Sequence, residues 1–337
     1  MDNLISIIVP AFNIENHVIK CLESLINQTY KDIEIIVVDD GSTDRTAEVL
    51  DEYAFGKSKV KIFHKNNEGV THARLYGVSK SSGAYIGFVD GDDYVEETMF
   101  ENLMHNMKEQ DADISHCGYQ LNYPDGKIEY LYNTNRIVTQ DNFMGMKDLL
   151  EGRFVEPGLC NKLFRKEFFD SIFDRSFIKQ NIRINEDLLM NFYLFNQSKK
   201  SVYEGVCPYH YVMRKNSASK SKINEHRLKD PMKVLKILLV EVKDNKELME
   251  IVQRRIVRQL VNITTMDEEE NPELIEPYRH TMRVELRKNI FKILFKSRCG
   301  SRLKIMALWA SICPGSYRFV HKKYEHAKGL DKKFSVD

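Results

Sequence analysis

The sequence lacks closely spaced cysteines and a charge excess of either sign. Its six cysteines are scattered and form no Cys-x-x-Cys motif, so the pattern indicates neither a zinc site nor a disulfide framework. Lysine and arginine number 50 and aspartate and glutamate 49, which gives a formal net charge of +1. Such a chain has no global field that attracts nucleic acid, and we expect no nucleic-acid partner.

Long apolar runs are also missing. No stretch approaches the roughly 18–20 apolar residues that cross a bilayer, and the longest candidate, Ile305 to Cys313, is about half that length. The apolar run Ile5 to Val9 follows no basic segment, so it favours a strand over a secretory signal. We see no internal repeat. These absences predict a cytoplasmic protein that is either soluble or bound to the inner face of the cell membrane.

Strand and helix patterns alternate over the first part of the chain. Short β-branched apolar runs predict four strands: Leu4–Val9, Ile33–Val38, Val60–Phe63 and Ala84–Val89. Apolar residues at helical spacing lie between them, over residues 18–26 and 71–80. This alternation predicts an α/β fold, Rossmann-like, with a mostly parallel sheet and helices on both faces. Ligands of such sheets bind beyond the carboxyl ends of the strands.

The later part of the chain is less regular and then becomes helical. A turn at Tyr123–Gly126 predicts a hairpin between strands at Ile114–Asn122 and Lys127–Leu131, and helical patterns cover Asn142–Leu150 and Asp187–Phe195. Past about Asn224 few strand signals remain. We therefore predict one domain over residues 1–220, with halves at 1–118 and 119–220, and a helical region over residues 221–337.

Three acidic clusters adjoin apolar stretches, at Asp39–Asp44, Asp90–Asp93 and Asn185–Asp187. Carboxylates crowded at strand ends repel one another unless a positive or hydrogen-bonding group lies among them. A divalent cation carrying a nucleoside diphosphate would supply that partner, since carboxylates one residue apart suit an oxygen-loving ion. The three clusters together predict one sugar-nucleotide site.

Each cluster also has a purely structural interpretation. Acidic triplets such as Asp90–Asp92 are common in loops, although Gly91 would let the backbone approach a ligand closely. Ser42 or Thr43 could cap the next helix. Asn185–Asp187 could be an ordinary helix start, where the dipole would keep a carboxylate ionised as a general base must be.

The motifs resemble those of family 2 inverting glycosyltransferases with a GT-A fold. The segments that carry the resemblance cover about residues 3 to 220: Ile7–Asn13, Asp39–Asp44, Gly83–Asp93 and Glu186-Asp187. The resemblance implies that the domain over residues 1–220 is catalytic, with a nucleotide-sugar half and an acceptor half. The type implied is the bacterial capsular, exopolysaccharide or cell-surface glycan enzyme.

The resemblance also implies roles for single residues. Asp187 would be the catalytic base, Asp92 would bind Mn²⁺ or Mg²⁺ on the diphosphate, and Asp40 would hydrogen-bond a uracil ring. The implied nucleotide-binding residues are Pro10, Ala11, Phe12, Asp39, Asp40, Arg74, Asp90 and Gly91. The implied acceptor residues are Asn161, Lys162 and Glu186.

Two further segments match the family less closely. Gly158–Phe164 resembles an acceptor segment, but Cys160 stands where tryptophan is common. Tyr209–Arg214 resembles a segment that closes over the phosphates, so His210 is a second candidate metal ligand; the alternative is an edge strand. The polar stretch Tyr193–Lys222 is interpreted as a loop that covers the site. The Gln-x-x-Arg-Trp signature and membrane spans of processive synthases are absent, which favours transfer of a single sugar.

The tail over about residues 285–328 is basic and amphipathic. Lys288, Lys292 and Lys296 recur on one flank of a helical pattern, and an apolar flank of Leu286, Ile290, Ile293 and Leu294 faces away from them. This pattern favours contact with an anionic membrane. The alternative is that the helix packs on the catalytic domain with a solvated basic face.

We therefore predict a metal-dependent inverting glycosyltransferase. It would move one sugar from a nucleotide-sugar, with UDP the expected nucleotide, to a glycan or lipid-linked saccharide. The alternative is a catalytically silent nucleotide-sugar-binding or assembly protein on the same fold. Nucleotidyl transfer is disfavoured, because no glycine-rich, arginine-containing phosphate loop follows the first strand.

Overall fold

The computed structural model describes residues 3–173, 181–214, 223–266 and 271–327. The chain forms two compact units, Met1–Met213 and Arg214–Asp337. The boundary predicted near residue 220 falls at 215–222, outside the described residues.

The first unit is built on one sheet of ten described strands, of which four were predicted from apolar runs and two from the hairpin. The strands are β1 Ile5–Ala11, β2 Ile33–Asp39, β3 Val60–His64, β4 Tyr85–Phe88, β5 Tyr94–Val95, β6 Ile114–Asn122, β7 Ile128–Leu131, β8 Ile137–Asp141, β9 Lys162–Arg165 and β10 Lys200–Val212. All seven residues of β1 and of β2 are buried, as expected of central strands covered on both faces.

Helices lie between the strands of this unit. They are α1 Val18–Ile26, α2 Thr46–Ala54, α3 Val70–Lys80, α4 Met99–Glu109, α5 Asn142–Glu151, α6 Asp170–Phe173 and α7 Glu186–Gln197, with a short 3₁₀ segment at Lys166–Phe169. The predicted hairpin turn is confirmed, since the Gly126 amide donates to the Tyr123 carbonyl and the Tyr123 amide to Lys127.

The strand order is β3-β2-β1-β4-β9-β6-β10-β5, with β7 on β6 and β8 on β10. Strands β3, β2, β1 and β4 run parallel, and β9 joins them to β6 by antiparallel pairing on both of its sides. The α/β architecture with a mostly parallel central sheet, predicted from the alternating pattern, is confirmed.

The carboxyl ends of β1, β2 and β4 meet at one edge of the sheet. Beyond the paired registers, the Asp40 amide donates to the Ala11 carbonyl at 2.9 Å and the Gly91 amide donates to the Pro10 carbonyl at 3.3 Å. The first two acidic clusters are therefore held against the end of β1, as the parallel-sheet argument predicted.

The predicted covering loop over Tyr193–Lys222 is wrong for most of its length. Residues up to Gln197 belong to α7, and Lys200–Val212 is β10; residues 215–222 lie outside the described part. The edge-strand interpretation of Tyr209–Arg214 is also wrong, because β10 pairs with β6 on one side and with β5 and β8 on the other. Pairing with distant strands gave order to a stretch whose polar residues indicated a loop.

The second unit is helical over its described residues. Its helices are α8 Glu225–Glu241, α9 Lys246–Thr264, α10 Pro272–Phe291, α11 Ser301–Ile312 and α12 Pro314–Ala327, with a π-helical turn at Lys292–Lys296 after α10. Leu228, Val261, Leu286, Ile293 and Ala307 belong to one buried cluster. Our interpretation of the tail was therefore wrong in one respect: Leu286 and Ile293, from the flank assigned to a membrane, form the core of these helices. No described helix is long and apolar enough to cross a bilayer.

A buried carboxylate ties together the start of the parallel sheet. Glu34 on β2 accepts hydrogen bonds from the Ser6 hydroxyl at 2.6 Å and from the Ser82 amide at 2.6 Å, and Lys61 on β3 donates to it at 2.6 Å. Burial opposes ionisation of Glu34, but the donors prevail and lower its pKa from 4.5 to about 2. Glu34 thus joins β1, β2, β3 and the loop before β4.

Replacing Glu34 with glutamine should lower the free energy of unfolding by about 1–3 kcal/mol, because an amide cannot accept all of these bonds. The folded-state pKa lies below the ordinary value, so the stabilisation is present above about pH 4.5 and is lost as the pH falls toward 2. Urea unfolding of both proteins at pH 7 and pH 3 measures these effects. Equal stability of the two proteins at pH 7 would contradict the assignment.

Glu48→Gln is the matched control for this experiment. Glu48 pairs with Arg45 at the surface, with its side chain 67% exposed. Its replacement should change the free energy of unfolding by less than about 1 kcal/mol at either pH.

Candidate functional site

The two carboxylates at the end of β2 are paired within the protein. Asp39 accepts from the His64 Nδ1 at 2.9 Å and from the Ser42 amide at 3.0 Å. Asp40 accepts from the Lys65 Nζ at 2.9 Å and from the Gly69 amide at 2.7 Å. Our premise that this pair required a bound ligand is therefore wrong, because two basic side chains at the end of β3 and nearby amides satisfy it. The hydrogen bond to Asp39 raises the pKa of His64.

The loop after Asp40 is fixed to the end of β1 rather than capping α2. The backbone amide of Asn13 donates to the Ser42 hydroxyl at 3.0 Å, and the Asn13 side-chain oxygen accepts from the Thr43 backbone amide at 2.8 Å. Arg45 occupies the N-cap position of α2 without a capping side-chain bond. The predicted cap by Ser42 or Thr43 is thus wrong. Gly41, at φ +72°, supplies the left-handed turn that this loop requires.

Arg74 links the second and third acidic clusters. Its Nη2 donates to Asp90 Oδ1 at 2.8 Å, and its Nη1 lies 3.8 Å from Glu186 Oε1. The arginine is buried, and its Nε has no hydrogen-bond partner within the described residues. Clusters that are far apart in the sequence therefore meet around one guanidinium.

Asp187 adjoins this ion pair at the start of α7. Its Oδ1 accepts from the Leu188 amide at 2.7 Å. Burial raises the pKa values of Asp187 and Glu186, and Arg74 opposes the rise in both. Loss of solvent thus acts against the helix N-terminus that we expected to keep Asp187 ionised, and its ionised state stays a prediction. Asn185, at φ +63°, makes no capping side-chain bond, so the capped-helix interpretation fails as well.

The Asp90–Asp93 cluster presents its members differently. Asp93 is buried and accepts from the Tyr209 hydroxyl at 2.6 Å and the Val212 amide at 2.8 Å. Asp92 is only half-buried. A Cβ on Gly91 would lie 2.6 Å from Ile14 Cδ1, so this glycine serves close packing on β1, whereas we had attributed it to ligand approach.

The end of β1 presents an aromatic surface beside these carboxylates. Pro10 and Ala11 are buried in the strand, but the Phe12 side chain is 47% exposed. An exposed ring of this kind can stack on a flat ligand ring.

The predicted acceptor residues Asn161 and Lys162 are both buried. The Lys162 ammonium donates to the Glu156 carbonyl at 2.8 Å and to Asn161 Oδ1 at 2.7 Å, and burial lowers its pKa to about 8. Cys160, in the same segment, has its Sγ 4.0 Å from Arg74 Nη2. The segment thus borders the site, with Asn161 and Lys162 holding its backbone; an acceptor role for them stays a prediction.

His210 is placed by strand pairing beside the segment that follows Asp92. It is paired in register with Tyr94, and the two rings stack with centroids 4.2 Å apart. Burial lowers the pKa of His210 to about 4, so the imidazole is neutral near pH 7, as a metal ligand must be.

Over the described ranges, no three His, Cys, Asp or Glu side chains form a ready-made metal site. A carboxylate oxygen at Asp92 nevertheless suits a hard cation whose other ligands are waters and ligand phosphates. The donor set therefore fits Mn²⁺ or Mg²⁺ only as an ion brought or completed by a phosphorylated ligand.

Sequence reasoning missed several residues that build the site. His64, Lys65 and Tyr209 neutralise or hydrogen-bond the acidic clusters, yet only Tyr209 lay in a segment we had noted. The first two could have been found, because Asp39 pairs in register with His64 at the ends of two parallel strands. Contacts such as Tyr209 with Asp93 have no local sequence signal.

Comparison with known proteins relates this chain to glycosyltransferases. The profile of glycosyl transferase family 2 matches residues 6–173. Curated relatives include the uncharacterized glycosyltransferase EpsJ of Bacillus subtilis (strain 168), 35% identical over 66% of this chain and 64% of EpsJ. Glycosyltransferase GlyA of Streptococcus pneumoniae serotype 4 is 33% identical over 65% of this chain and 32% of GlyA. The chain therefore spans less than two thirds of either relative.

Among solved structures, S. aureus TarS 1-349 in complex with UDP-GlcNAc has a similar fold. The TM-score is 0.68 at 18% identity, over 96% of this chain and 92% of that chain. This likeness, together with the strand order, confirms the GT-A fold that the sequence predicted. The family profile matches residues that form the sheet, the acidic clusters lie at one edge of that sheet, and the curated relatives are named as glycosyltransferases. The chain therefore belongs to glycosyl transferase family 2.

Proposed function

We propose that the protein is a metal-dependent inverting glycosyltransferase. It transfers a single sugar from a UDP-sugar to a hydroxyl of a glycan acceptor, lipid-linked, in the synthesis of a bacterial surface polysaccharide. The observation that carries the proposal is the Arg74 guanidinium between Asp90 and Glu186, which brings the motifs proposed for the nucleotide and for the base together.

The comparisons support the choice of donor and of reaction. EpsJ and GlyA are both named as glycosyltransferases, and the TarS structure holds UDP-GlcNAc. The exposed Phe12 ring at the end of β1 offers a stacking surface for a uracil base. Asp40, held by Lys65 and backbone amides, is proposed as the hydrogen-bond partner of that base.

Asp187 is proposed as the general base that removes the proton from the acceptor hydroxyl as its oxygen attacks the anomeric carbon. A base is most effective when its pKa approaches the working pH, and burial moves that of Asp187 in this direction. Attack from the face opposite the leaving diphosphate inverts the configuration at the sugar carbon. Arg74 opposes the rise of the pKa, and its positive charge favours the deprotonated form that a base requires.

Asp92 is proposed to hold Mn²⁺ or Mg²⁺ with His210 as a second candidate ligand. Such an ion, when bound, stabilises the negative charge that develops on the leaving diphosphate. Asp90 remains tied to Arg74 and is assigned to the nucleotide side.

Two substitutions separate binding from chemistry. In Asp187→Asn, transfer should fall about 10²–10⁴-fold, because the general base is lost, while UDP with Mn²⁺ still raises the unfolding temperature. In Asp92→Asn, the extra stabilisation that UDP gains from Mn²⁺ over EDTA should disappear. Thermal unfolding with nucleotide-sugars, and release of UDP with a panel of acceptors, measure the two effects.

Asp244→Asn, in an exposed turn of the second unit, is the control and should match the wild type in both assays. Full turnover by both site variants would reject the mechanism. The alternative function, a silent sugar-nucleotide-binding protein, predicts UDP binding with no consumption of donor by the wild type for any acceptor.

Arg74→Lys tests whether Arg74 controls the pKa of Asp187, the proposed base. Lysine keeps the charge but lacks the planar fork that reaches two carboxylates. Since Arg74 lowers the pKa of Asp187, the acid limb of kcat/KM against pH should move to higher pH in the variant. An acid limb that stays in place would contradict this role. Arg45→Lys, at an exposed pair, should leave the profile unchanged.

We also propose that the second unit contacts an anionic membrane. The exposed apolar side chains of its described residues include Phe291, Phe295, Ile305, Trp309 and Ile312. Lys288, Lys292 and Lys296 are exposed on the same stretch. Aromatic and aliphatic side chains accompanied by lysines suit the surface of an anionic bilayer, and contact there would bring the enzyme to a lipid-linked acceptor.

Phe291→Ser/Phe295→Ser tests this contact. Burying two phenylalanines in a bilayer surface is worth several kcal/mol, so sedimentation with phosphatidylcholine vesicles containing phosphatidylglycerol should weaken more than about tenfold. Phe55→Ser is the control, since Phe55 is 91% exposed on the first unit. Equal binding by the double variant and the wild type would contradict the proposal.

A further inference from the structure

A cavity of about 160 Å³ lies among the helices of the second unit, apart from the acidic clusters described above. It is lined by the end of α9, the middle of α10 and the start of α12. Three of its lining side chains are arginines: Arg279, Arg283 and Arg318. Against them the lining holds one carboxylate, Glu276, so the formal charge is +2 with His280 neutral.

The guanidinium groups are held in place by oxygens of the chain. Arg283 donates from Nη2 to the Ile312 carbonyl at 3.1 Å, and Arg318 donates from Nη1 to the Met266 carbonyl at 3.3 Å. Arg279 donates to Glu276. The neutral Ile312 carbonyl fixes the direction of Arg283 without cancelling its charge. The cavity is thus a rigid, electropositive recess.

Two polar atoms at this cavity have no hydrogen-bond partner within the part of the chain that the structure describes. The Thr264 hydroxyl belongs to a side chain that is 1% exposed, and the Nε of Arg283 is buried. Buried polar atoms without a hydrogen bond carry a free-energy cost that most proteins avoid. A ligand with several acceptor oxygens would satisfy both.

The first turn of α12 also borders the cavity, through Pro314 and Gly315. Backbone amides at a helix N-terminus have no intrahelical acceptor and favour an anion. The helix N-terminus therefore favours an anion, as do the arginines and the two unpartnered polar atoms.

The volume selects the size of the anion. Since a water molecule takes about 30 Å³ in the liquid, about five would fill the cavity. A single tetrahedral phosphate group fits that space. Arginine forks match phosphate oxygens, and a phosphate accepts from a hydroxyl as well.

We propose that this cavity is a phosphate-binding site, occupied by a phosphate monoester or diester group. Arg283 donates hydrogen bonds to its oxygens, and so does the Thr264 hydroxyl. The phosphate can come from a free anion or from the head group of an acidic lipid. Ile312 and Phe319, which adjoin the cavity in sequence, are 60% and 61% exposed and would lie along such a lipid's apolar part.

Titration calorimetry with inorganic phosphate at fixed ionic strength tests the site in the full chain. Phosphate should bind saturably to the wild type, and Arg283→Gln should weaken it about tenfold or more, because a charge-assisted bond is lost. Arg287→Gln is the matched control. Arg287 lies one turn further along α10 and donates to the Ser311 carbonyl at 2.7 Å, but it does not line the cavity.

Thr264→Val guards against effects of folding. Removing an unpartnered hydroxyl should leave the unfolding temperature unchanged or higher, while phosphate binding weakens about threefold or more. A lower unfolding temperature with unchanged phosphate binding would show that the hydroxyl serves the fold and would overturn its assignment.

Four acidic residues, 267–270, follow α9 in the sequence and lie outside the described ranges. A variant that carries Asp267→Asn, Glu268→Gln, Glu269→Gln and Glu270→Gln is measured beside the wild type. It shows whether the negative charge of this segment opposes phosphate binding. Absence of saturable phosphate binding in both proteins would overturn the proposal, and so would equal losses in Arg283→Gln and Arg287→Gln.

A second arm identifies the source of the phosphate. Vesicles of phosphatidylcholine with phosphatidic acid are compared for the wild type and Arg283→Gln. A loss of vesicle binding in Arg283→Gln, together with its loss of free phosphate, supports a lipid head group. Unchanged vesicle binding with loss of free phosphate supports a soluble phosphate in the same site. Neither result depends on transferase activity.

Discussion

Desolvation of carboxylates is the constraint on which the rest of the site depends. Asp39, Asp40, Asp93 and Glu186 are all buried at or near one edge of the sheet, and each would be costly to ionise there without a partner. The fold supplies partners from three directions: His64 and Lys65 from β3, Tyr209 from β10 and Arg74 from α3. The order of the strands therefore determines the electrostatics of the site, because the parallel registers of β1, β2 and β3 place the carboxylates beside their basic partners.

The competition at Asp187 shows which electrostatic effect prevails. A helix N-terminus stabilises a nearby anion by about 0.3–1 kcal/mol at exposed positions, whereas removing a carboxylate from water can cost several kcal/mol. Burial therefore sets the direction of the pKa, and Arg74 moderates it. A carboxylate whose pKa is set by two opposing effects is sensitive to any movement of Arg74, which also holds Asp90. The residues proposed for the nucleotide and for the base are thus coupled through one arginine.

The sequence predicted the elements that local interactions determine, and it did not predict those that depend on contacts with distant residues. The strand over Ile114–Asn122 and the helix over residues 18–26 were predicted with the bounds that the structure gives, because apolar periodicity and turn residues bracket each. Strand β10 was missed, since its order comes from pairing with β5, β6 and β8 rather than from its own alternation. In the site, the positions of Asp39, Asp40 and Asp90 followed from strand ends, but the Arg74–Glu186 contact joins residues whose separation leaves no periodic trace.

The basic residues of the second unit fall into two environments that suit different ligands. Lys288, Lys292 and Lys296 are exposed on flexible stems among exposed aromatic side chains, so their charge is diffuse and suits a surface without fixed geometry. Arg283 and Arg318 are held by carbonyls around a recess. The entropy of these side chains is therefore lost during folding rather than during binding. Fixed guanidinium forks recognise a defined group of oxygens, while mobile ammonium groups only concentrate anions nearby. Arginine in the recess and lysine on the open face is the distribution expected if the first recognises one phosphate and the second a charged surface.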